Sequence, residues 1–452
     1  MKKSLLPFCI IFLFFLANQL FANNQVKGDY FQVNGSLYRK GIIHVKLIKD
    51  LDNNSFYNID SLKDKIDRFS IKYISKKFNP KDNEHSINQI YEIKFNDNID
   101  PAAIANIFND DINVEYAEMI PVDFILEVPN DTLFPDMDYL QQISAETAWN
   151  IHKGEDGISP IIIAICDTGV DWTHEDLIDN VYQNLAEDSD NDGATIEYVD
   201  GTWQLDSGDL DNIDNDNNDY IDDLIGWNFY NSTNNPATGS HGTKVCGMAA
   251  GVTNNSIGIS SISWNVNFLP IKAGDGSSIS SGYQGIVFAA DNGADFVNCS
   301  WGGTGSSQTN QDVVNYATTL GTMIVAACGN SNSEAIIYPA GYQNVISVAN
   351  VSLDDSKYSS SSYGLSVDIA SPGANILSTA TGGSYNGSGS GTSYASPIVA
   401  GGIALLKSYH PEWTNEELIA HTLLVSDNID AMNPAYTNKL GNGRLNVFNM
   451  LN

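Results

Sequence analysis

From residue 160 onward the chain alternates two hydrophobic patterns. Short, nearly continuous apolar runs, at Pro160–Cys166, Asn267–Ile271, Asp295–Cys299, Met323–Ala327 and Val345–Val348, read as strands buried on both faces. Between them, His241–Ala250, Ser281–Gly293, Asp312–Leu320 and Ser393–Tyr409 carry small and apolar residues at helical spacing. This interleaving predicts an α/β fold of three layers, a mostly parallel sheet with helices on both faces. In such folds the working residues lie at the carboxyl ends of strands and at the adjoining helix starts.

The first part of the chain has a different rhythm. Gly41–Leu47 and Gln89–Phe95 alternate as strands do, Pro101–Phe108 opens on proline and repeats as a helix, and Val114–Glu118 forms another short strand. Residues 23–120 are therefore expected to form a small α+β unit. Pro121–Asp138 is rich in Pro and Asp, lacks periodicity and reads as a linker. Any processing site is expected within 121–130, and the large domain over 131–452. Met1–Ala22 has the basic start (Lys2, Lys3), apolar middle (Leu5–Leu16) and small closing residue of a secretory signal. Its apolar run is shorter than the ~20 residues of a spanning helix. A secreted chain with no membrane anchor is expected, and since it ends soon after Arg444, no appended module.

Charge sharpens this division. The formal net charge is −33. Residues 131–452 hold 7 basic against 38 acidic side chains, whereas residues 23–130 hold 13 against 17. Nucleic acid and anionic membrane surfaces demand a basic footprint and are excluded as partners. Four cysteines follow the signal: Cys166, Cys246, Cys299 and Cys328. Each sits in an apolar or Gly/Ala-rich run and is expected as a buried thiol.

Three segments carry candidate chemistry. Gly391-Thr392-Ser393-Tyr394-Ala395-Ser396-Pro397 follows a Gly/Ser-rich run and opens an apolar helix. It presents Ser393 at a helix start, where unpaired amides favour a developing oxyanion; by itself the pattern also fits a plain N-cap. Ile161–Cys166 is a buried-strand run ending in Asp167, an acid that needs hydrogen-bond partners there. His241 begins a small-residue helix and suits general-base work. Nucleophile, base and orienting acid thus all fall at predicted element ends, in the order Asp, His, Ser.

These segments resemble the subtilisin-like serine proteases, nearest to the thermitase and proteinase K branches. The resemblance covers residues 128–452 and rests on Cys166-Asp167-Thr168-Gly169, His241-Gly242-Thr243, Asn298-Cys299-Ser300-Trp301-Gly302-Gly303, Ala327-Cys328-Gly329-Asn330, Tyr338-Pro339-Ala340 and Gly391–Pro397. It implies a subtilisin-like fold in which Asp167 orients His241, His241 takes the proton of Ser393, and Asn330 donates to the oxyanion. Residues 23–120 are then implied to be a propeptide that assists folding and inhibits the cleft until the precursor cuts itself. Protein or peptide substrates are implied, and a monomer is expected. Two departures are noted: Lys244 stands where the family has a second histidine, and Tyr394 replaces the methionine after the nucleophile. Ser300, Trp301 and Gly302 are implied as the edge that pairs with substrate backbone. Gly302 and Gly303 are read as leaving room for the side chain before the cut, and Ile337 as shrinking that pocket toward small or medium apolar residues.

A structural calcium ion is also expected. Asn254–Gly258 is similar to the family's calcium loop, which implies Asp131, Asp176, the side chain of Asn255 and carbonyls of Thr253, Ile257 and Ile259 as its ligands. Asp188, Asp190 and Asp192 before Gly193 reproduce the first half of a calcium-loop pattern without its twelfth-position glutamate. Asp214, Asp216 and Asn218 repeat the alternate oxygen donors, and a merely solvated acidic loop is the competing reading. His174 lacks a His-Glu-x-x-His partner, so a metalloprotease is not expected. Two rivals stay open: an aspartic protease pairing Asp167 with Asp206, and a non-catalytic secreted calcium-binding or adhesive protein on the same scaffold.

Overall fold

Antiparallel pairing organises the first part of the chain. The computed structural model describes residues 30–33, 36–48, 59–69, 71–81, 86–122, 128–154 and 160–452. The first elements are β1 (Tyr30–Val33), β2 (Ser36–Leu47), α1 (Asp60–Arg68), β3 (Tyr73–Lys76), β4 (Ile90–Lys94), α2 (Pro101–Asn109) and β5 (Val114–Pro121). The strands form one sheet in the order β1-β2-β4-β3, with β5 also paired to the long β2. Alternation along β2 turns Ile43, Val45 and Leu47 inward, where Leu62 and Ile66 of α1 and Ile104 and Phe108 of α2 complete one core. Asp100 caps α2 by accepting from the Ala102 N–H at 2.8 Å, with proline at the first helical position. This is the expected α+β unit; α1 and β3, short and mostly polar, were not foreseen.

The chain divides into this unit, up to Phe124, and a second unit, Ile125–Leu451. Pro121 closes β5, and the described residues 122 and 128–137 carry no α-helix or strand, only the single 3-10 turn Phe134–Asp136. Residues 1–22, and 123–127 within the expected processing segment, lie outside the described residues.

In the second unit the apolar runs become β6 (Ile161–Asp167), β7 (Trp227–Asn228), β8 (Val266–Lys272), β9 (Phe296–Cys299), β10 (Met323–Ala327), β11 (Val345–Val351) and β12 (Ile369–Pro372). They build a seven-stranded sheet, ordered β12-β11-β10-β9-β6-β8-β7, in which every pair is parallel. The helices are α3 (Ser240–Ala250), α4 (Gly282–Asp291), α5 (Gln308–Thr319), α6 (Thr392–Tyr409) and α7 (Asn415–Leu424). Alternate residues of β6 face opposite layers. Ile163 and Ile165 join the core under α3 and α6, while Ala164 and Cys166 join the one under α4 and α5. Both faces are covered, which is why these strands read as unbroken apolar runs. All four cysteines are buried and free.

Strand order reverses around β6: later chain builds β8 on one side and β9 on the other. A crevice at the carboxyl end of β6 follows from that reversal. The Gly/Ser-rich run before Ser393 contains a strand. Ile376–Ala380 and Ser384–Gly389 form a hairpin turned through Gly382 and Gly383, and Tyr385 anchors it edge-on to His174 at 5.1 Å.

Candidate functional site

Asp167 ends β6 at the crevice, 1% exposed. Its Oδ1 accepts from the Thr168 N–H at 2.7 Å and meets His241 Nδ1 at 2.8 Å; Oδ2 lies 3.0 Å from the same nitrogen. An acid buried at a strand end thus has partners for its charge, as its position demands. With Nδ1–H held by the carboxylate, the imidazole keeps Nε2 free to accept a proton. Burial works to lower the His241 pKa. The charge and hydrogen bond of Asp167 overcome this and leave it above its ordinary value, against a small opposing push from Lys244. Tyr394 stands edge-on to the His241 ring at 6.5 Å, so the residue replacing methionine braces the imidazole.

Ser393 is the second residue of α6, beyond Gly391. Gly391 has φ 154°, and a Cβ there would come within 3.2 Å of the Asn330 amide nitrogen. Glycine is what lets the loop enter the helix this close to Asn330. Pro397 lies inside α6. Lacking an N–H, it cannot bond the carbonyl four residues back, which is that of Ser393. The Ser300 hydroxyl donates to that carbonyl instead, at 2.8 Å, while accepting from the Asn298 amide at 2.9 Å. The Ser393 hydroxyl in turn donates to the Ser300 carbonyl at 2.9 Å. It is therefore turned to the backbone rather than hydrogen-bonded to His241, although both side chains line one cleft of about 700 Å³.

Asn330 also faces that cleft. Its Oδ1 accepts from the Thr392 N–H at 2.9 Å and the Thr392 hydroxyl at 3.2 Å, which fixes the amide and leaves its N–H groups without a protein partner among the described residues. Residues 300–302 run out of β9 with no strand pairing, and the Trp301 indole donates to the Cys166 carbonyl at 2.8 Å. Gly302 and Gly303 differ in role. A Cβ on Gly303 would meet nothing within 4 Å, but one on Gly302 would strike Ile337 Cγ2 at 2.4 Å. Ile337 thus packs against Gly302 where a side chain would begin, and both residues line the cleft. Asp206 accepts from its own loop, the Gly208 N–H at 2.7 Å, rather than pairing with Asp167.

Asp131, Asp176 and Asn255, three of the residues expected at the calcium site, are joined by hydrogen bonds. Asp131 and Asp176 are buried; Asp131 accepts from the N–H groups of Asn254 and Asn255, both at 2.9 Å, and from the Ser260 hydroxyl. Asp176 accepts from the Ile259 N–H at 2.7 Å and the Asn255 amide at 2.8 Å. Burial, with help from the charges of Asp131 and Glu175, pushes Asp176 up to about 7. Two buried carboxylates that no described cation pairs suit a hard divalent ion. The Thr253 hydroxyl accepts from the Ser261 N–H, at 2.9 Å. His174 is structural: Nδ1 accepts from the Asp176 N–H and Nε2–H donates to the Ser384 carbonyl. In the acidic insert, Asp214 and Asp216 both accept from the Asn218 N–H at 3.0 Å; Asp223 and Glu187, the latter missed by pattern reading, gather with Asp216.

Comparison with known proteins identifies the family. The subtilase family (Peptidase S8) matches residues 159–443. A thermophilic serine proteinase of Bacillus sp. (strain AK1) is 37% identical over 310 residues, 68% of this chain and 66% of that protein. The halolysin-like extracellular serine protease Nep of Natrialba magadii is 35% identical over 70% of this chain, and thermitase of Thermoactinomyces vulgaris 36% identical over 62%. The chain spans just under two thirds of the first of these relatives, 52% of the second and 85% of the third. A solved protease structure from Pseudoalteromonas arctica PAMC 21717 is 30% identical, with TM-score 0.55 over 72% of this chain and 99% of that one. By its sheet, its crevice and the match across residues 159–443, the chain belongs to the subtilase family.

Proposed function

We propose that this protein is a serine endopeptidase in which Ser393 is the nucleophile, His241 the general base, Asp167 its orienting acid and Asn330 an oxyanion donor. The observation that carries the reading is the Asp167–His241 pair, 2.8 Å apart, opening on the cleft shared by Ser393 and the Asn330 amide. Rotation about the Ser393 Cα–Cβ bond releases its hydroxyl from the Ser300 carbonyl and turns it to His241. His241 Nε2 takes the proton as Oγ attacks the peptide carbonyl, and later returns it to the leaving amine. The Asn330 N–H and the Ser393 backbone N–H, unpaired at its helix start, receive the oxyanion.

Substrate backbone lies along the unpaired edge of Ser300–Gly302, as an added strand. Ile337 limits the adjoining pocket to small or medium apolar side chains. Calcium would be held by Asp131, Asp176, the side chain of Asn255 and carbonyls of Thr253, Ile257 and Ile259, and would supply structural support only. The protein is secreted as a precursor, with residues 23–120 as a propeptide that occupies the cleft until self-cleavage within 121–130. No helix among the described residues is long and apolar enough to cross a membrane. The test is labelling with a serine-directed fluorophosphonate beside a casein assay. Label on Ser393, loss of casein cleavage and uncut precursor in Ser393→Ala are expected; an active, normally processed Ser393→Ala protein overturns the reading.

A further inference from the structure

The insert between β6 and α3 contains one device twice. In 188–193, the Asp188 carboxylate accepts from the N–H groups of Asp192 and Gly193, at 3.2 and 2.9 Å, and Asp190 accepts from Asp192 at 3.1 Å. In 214–219, Asp214 accepts from Asn218 and Asp219, at 3.0 and 2.9 Å, and Asp216 accepts from Asn218 at 3.0 Å. The sixth residue of each loop, Gly193 or Asp219, has positive φ, 93° and 72°. In both loops the carboxylates of positions 1 and 3 are therefore gathered around the N–H groups of positions 5 and 6, as in the opening turn of a calcium loop.

Neither loop has an acid at position 12, which ordinarily closes such a site. Each is instead met by an acid from outside it. Asp209 Oδ1 accepts from positions 2 and 3 of the first loop, Ser189 and Asp190, at 2.8 and 3.3 Å. Glu187 Oε1 accepts from positions 2 and 3 of the second, Asn215 and Asp216, at 2.7 and 2.9 Å. Both acids are 0% exposed, and the other oxygen of each, Asp209 Oδ2 and Glu187 Oε2, is buried with no hydrogen-bond partner. A buried, unpartnered carboxylate oxygen is costly. Each lies in a knot of acids: carboxylate oxygens of Asp188, Asp190 and Asp209, and of Glu187, Asp216 and Asp223, fall within 4.8 Å of one another.

We propose that the insert holds two calcium ions, one in each loop, with Asp209 and Glu187 supplying the closing ligand that the loops lack. The exchange is reciprocal. Glu187 precedes the first loop and closes the second; Asp209 precedes the second and closes the first. All-oxygen sites rich in carboxylate suit calcium, whereas magnesium keeps most of its water and is seldom caged by protein alone. These sites are separate from the one at Asp131 and Asp176, and they do not depend on the proteolytic reading.

The test uses the full chain carrying Ser393→Ala, to prevent self-digestion, stripped with chelator and dialysed to equilibrium against radioactive calcium with and without excess magnesium. Three ions per chain are expected, with magnesium failing to displace them. Glu187→Gln and Asp209→Asn should each bind one ion fewer, and Asp176→Asn should lose the third independently. A parent that binds two ions, both lost in Glu187→Gln/Asp209→Asn, supports the proposal while refuting the Asp131/Asp176 site. Variants that keep the parent's full count overturn it, and so does a parent that binds one ion or none, whether or not the variants fold.

Discussion

Pro397 leaves the Ser393 carbonyl without a helical donor, and the Ser300 hydroxyl fills the gap at 2.8 Å. Ser300→Ala removes that donor and also the acceptor for the Asn298 amide, on a side chain that is 0% exposed. Each buried group left unpaired costs about 1–3 kcal/mol, so stability should fall by roughly 2–6 kcal/mol. At about 2 °C per kcal/mol for a domain of this size, the melting temperature drops by roughly 4–12 °C. Calorimetry on Ser393→Ala protein, which cannot digest itself, measures this without changing the carbonyl concerned. Pro397→Ala supplies the rescue, because it restores an N–H four residues beyond Ser393. In the double variant the carbonyl regains its helical partner. Ser300→Ala should then cost about 1–3 kcal/mol less than it does with proline present. Strictly additive effects would refute the account, since they would mean that Pro397 and Ser300 do not serve the same carbonyl.

Three shorter expectations accompany it. Because Asp167 holds the His241 pKa above its ordinary value near 6.5 and catalysis needs the neutral imidazole, the acid limb of kcat/KM should lie above pH 6.5. Lys244→Ala should move it further up, and a downward move would be contrary evidence; the pair's contribution to stability runs oppositely, full below the unfolded pKa and lost as pH rises through the folded one. Asp167→Asn, which offers Nδ1–H no carboxylate and disturbs the tautomer, should lower kcat by about 10⁴ while the fold, read by circular dichroism, is kept. Ile337→Ala should open the space beside Gly302 and raise kcat/KM for peptide anilides with phenylalanine before the cut, relative to alanine, by about tenfold or more; an unchanged ratio places the pocket elsewhere.

Most of this architecture is legible in the sequence because β6, β10 and α6 are long apolar stretches whose burial and period agree. Asp167 and His241 were readable for the same reason: each terminates or begins a strongly patterned element. The missing pieces depend on distant partners. Ser300 lies 93 positions from the serine whose carbonyl it serves, and nothing local marks it as more than the residue after a strand. Pro397 reads locally as part of a helix's opening, whereas the structure seats it deeper and compensates from the residue after β9. β12 is short and ends in Ser371 and Pro372, so its apolar signal is too brief to stand out. Glu187 looked like one more acid in an acidic stretch; its role depends on a loop that pairs with it from 28 positions away.

The placement of β6 also bears on how the chain reaches its native state. Its neighbours come from far downstream: Ile162 donates to the Asp295 carboxylate, 133 positions later, and β8 and β9 flank it only after the insert and α3 have been made. The middle of the sheet therefore cannot close as it leaves the ribosome, and loop-closure entropy must be met before any long-range pairing rewards it. A polypeptide wired this way should refold slowly from denaturant, at a rate set by chain topology rather than by the strength of any one contact.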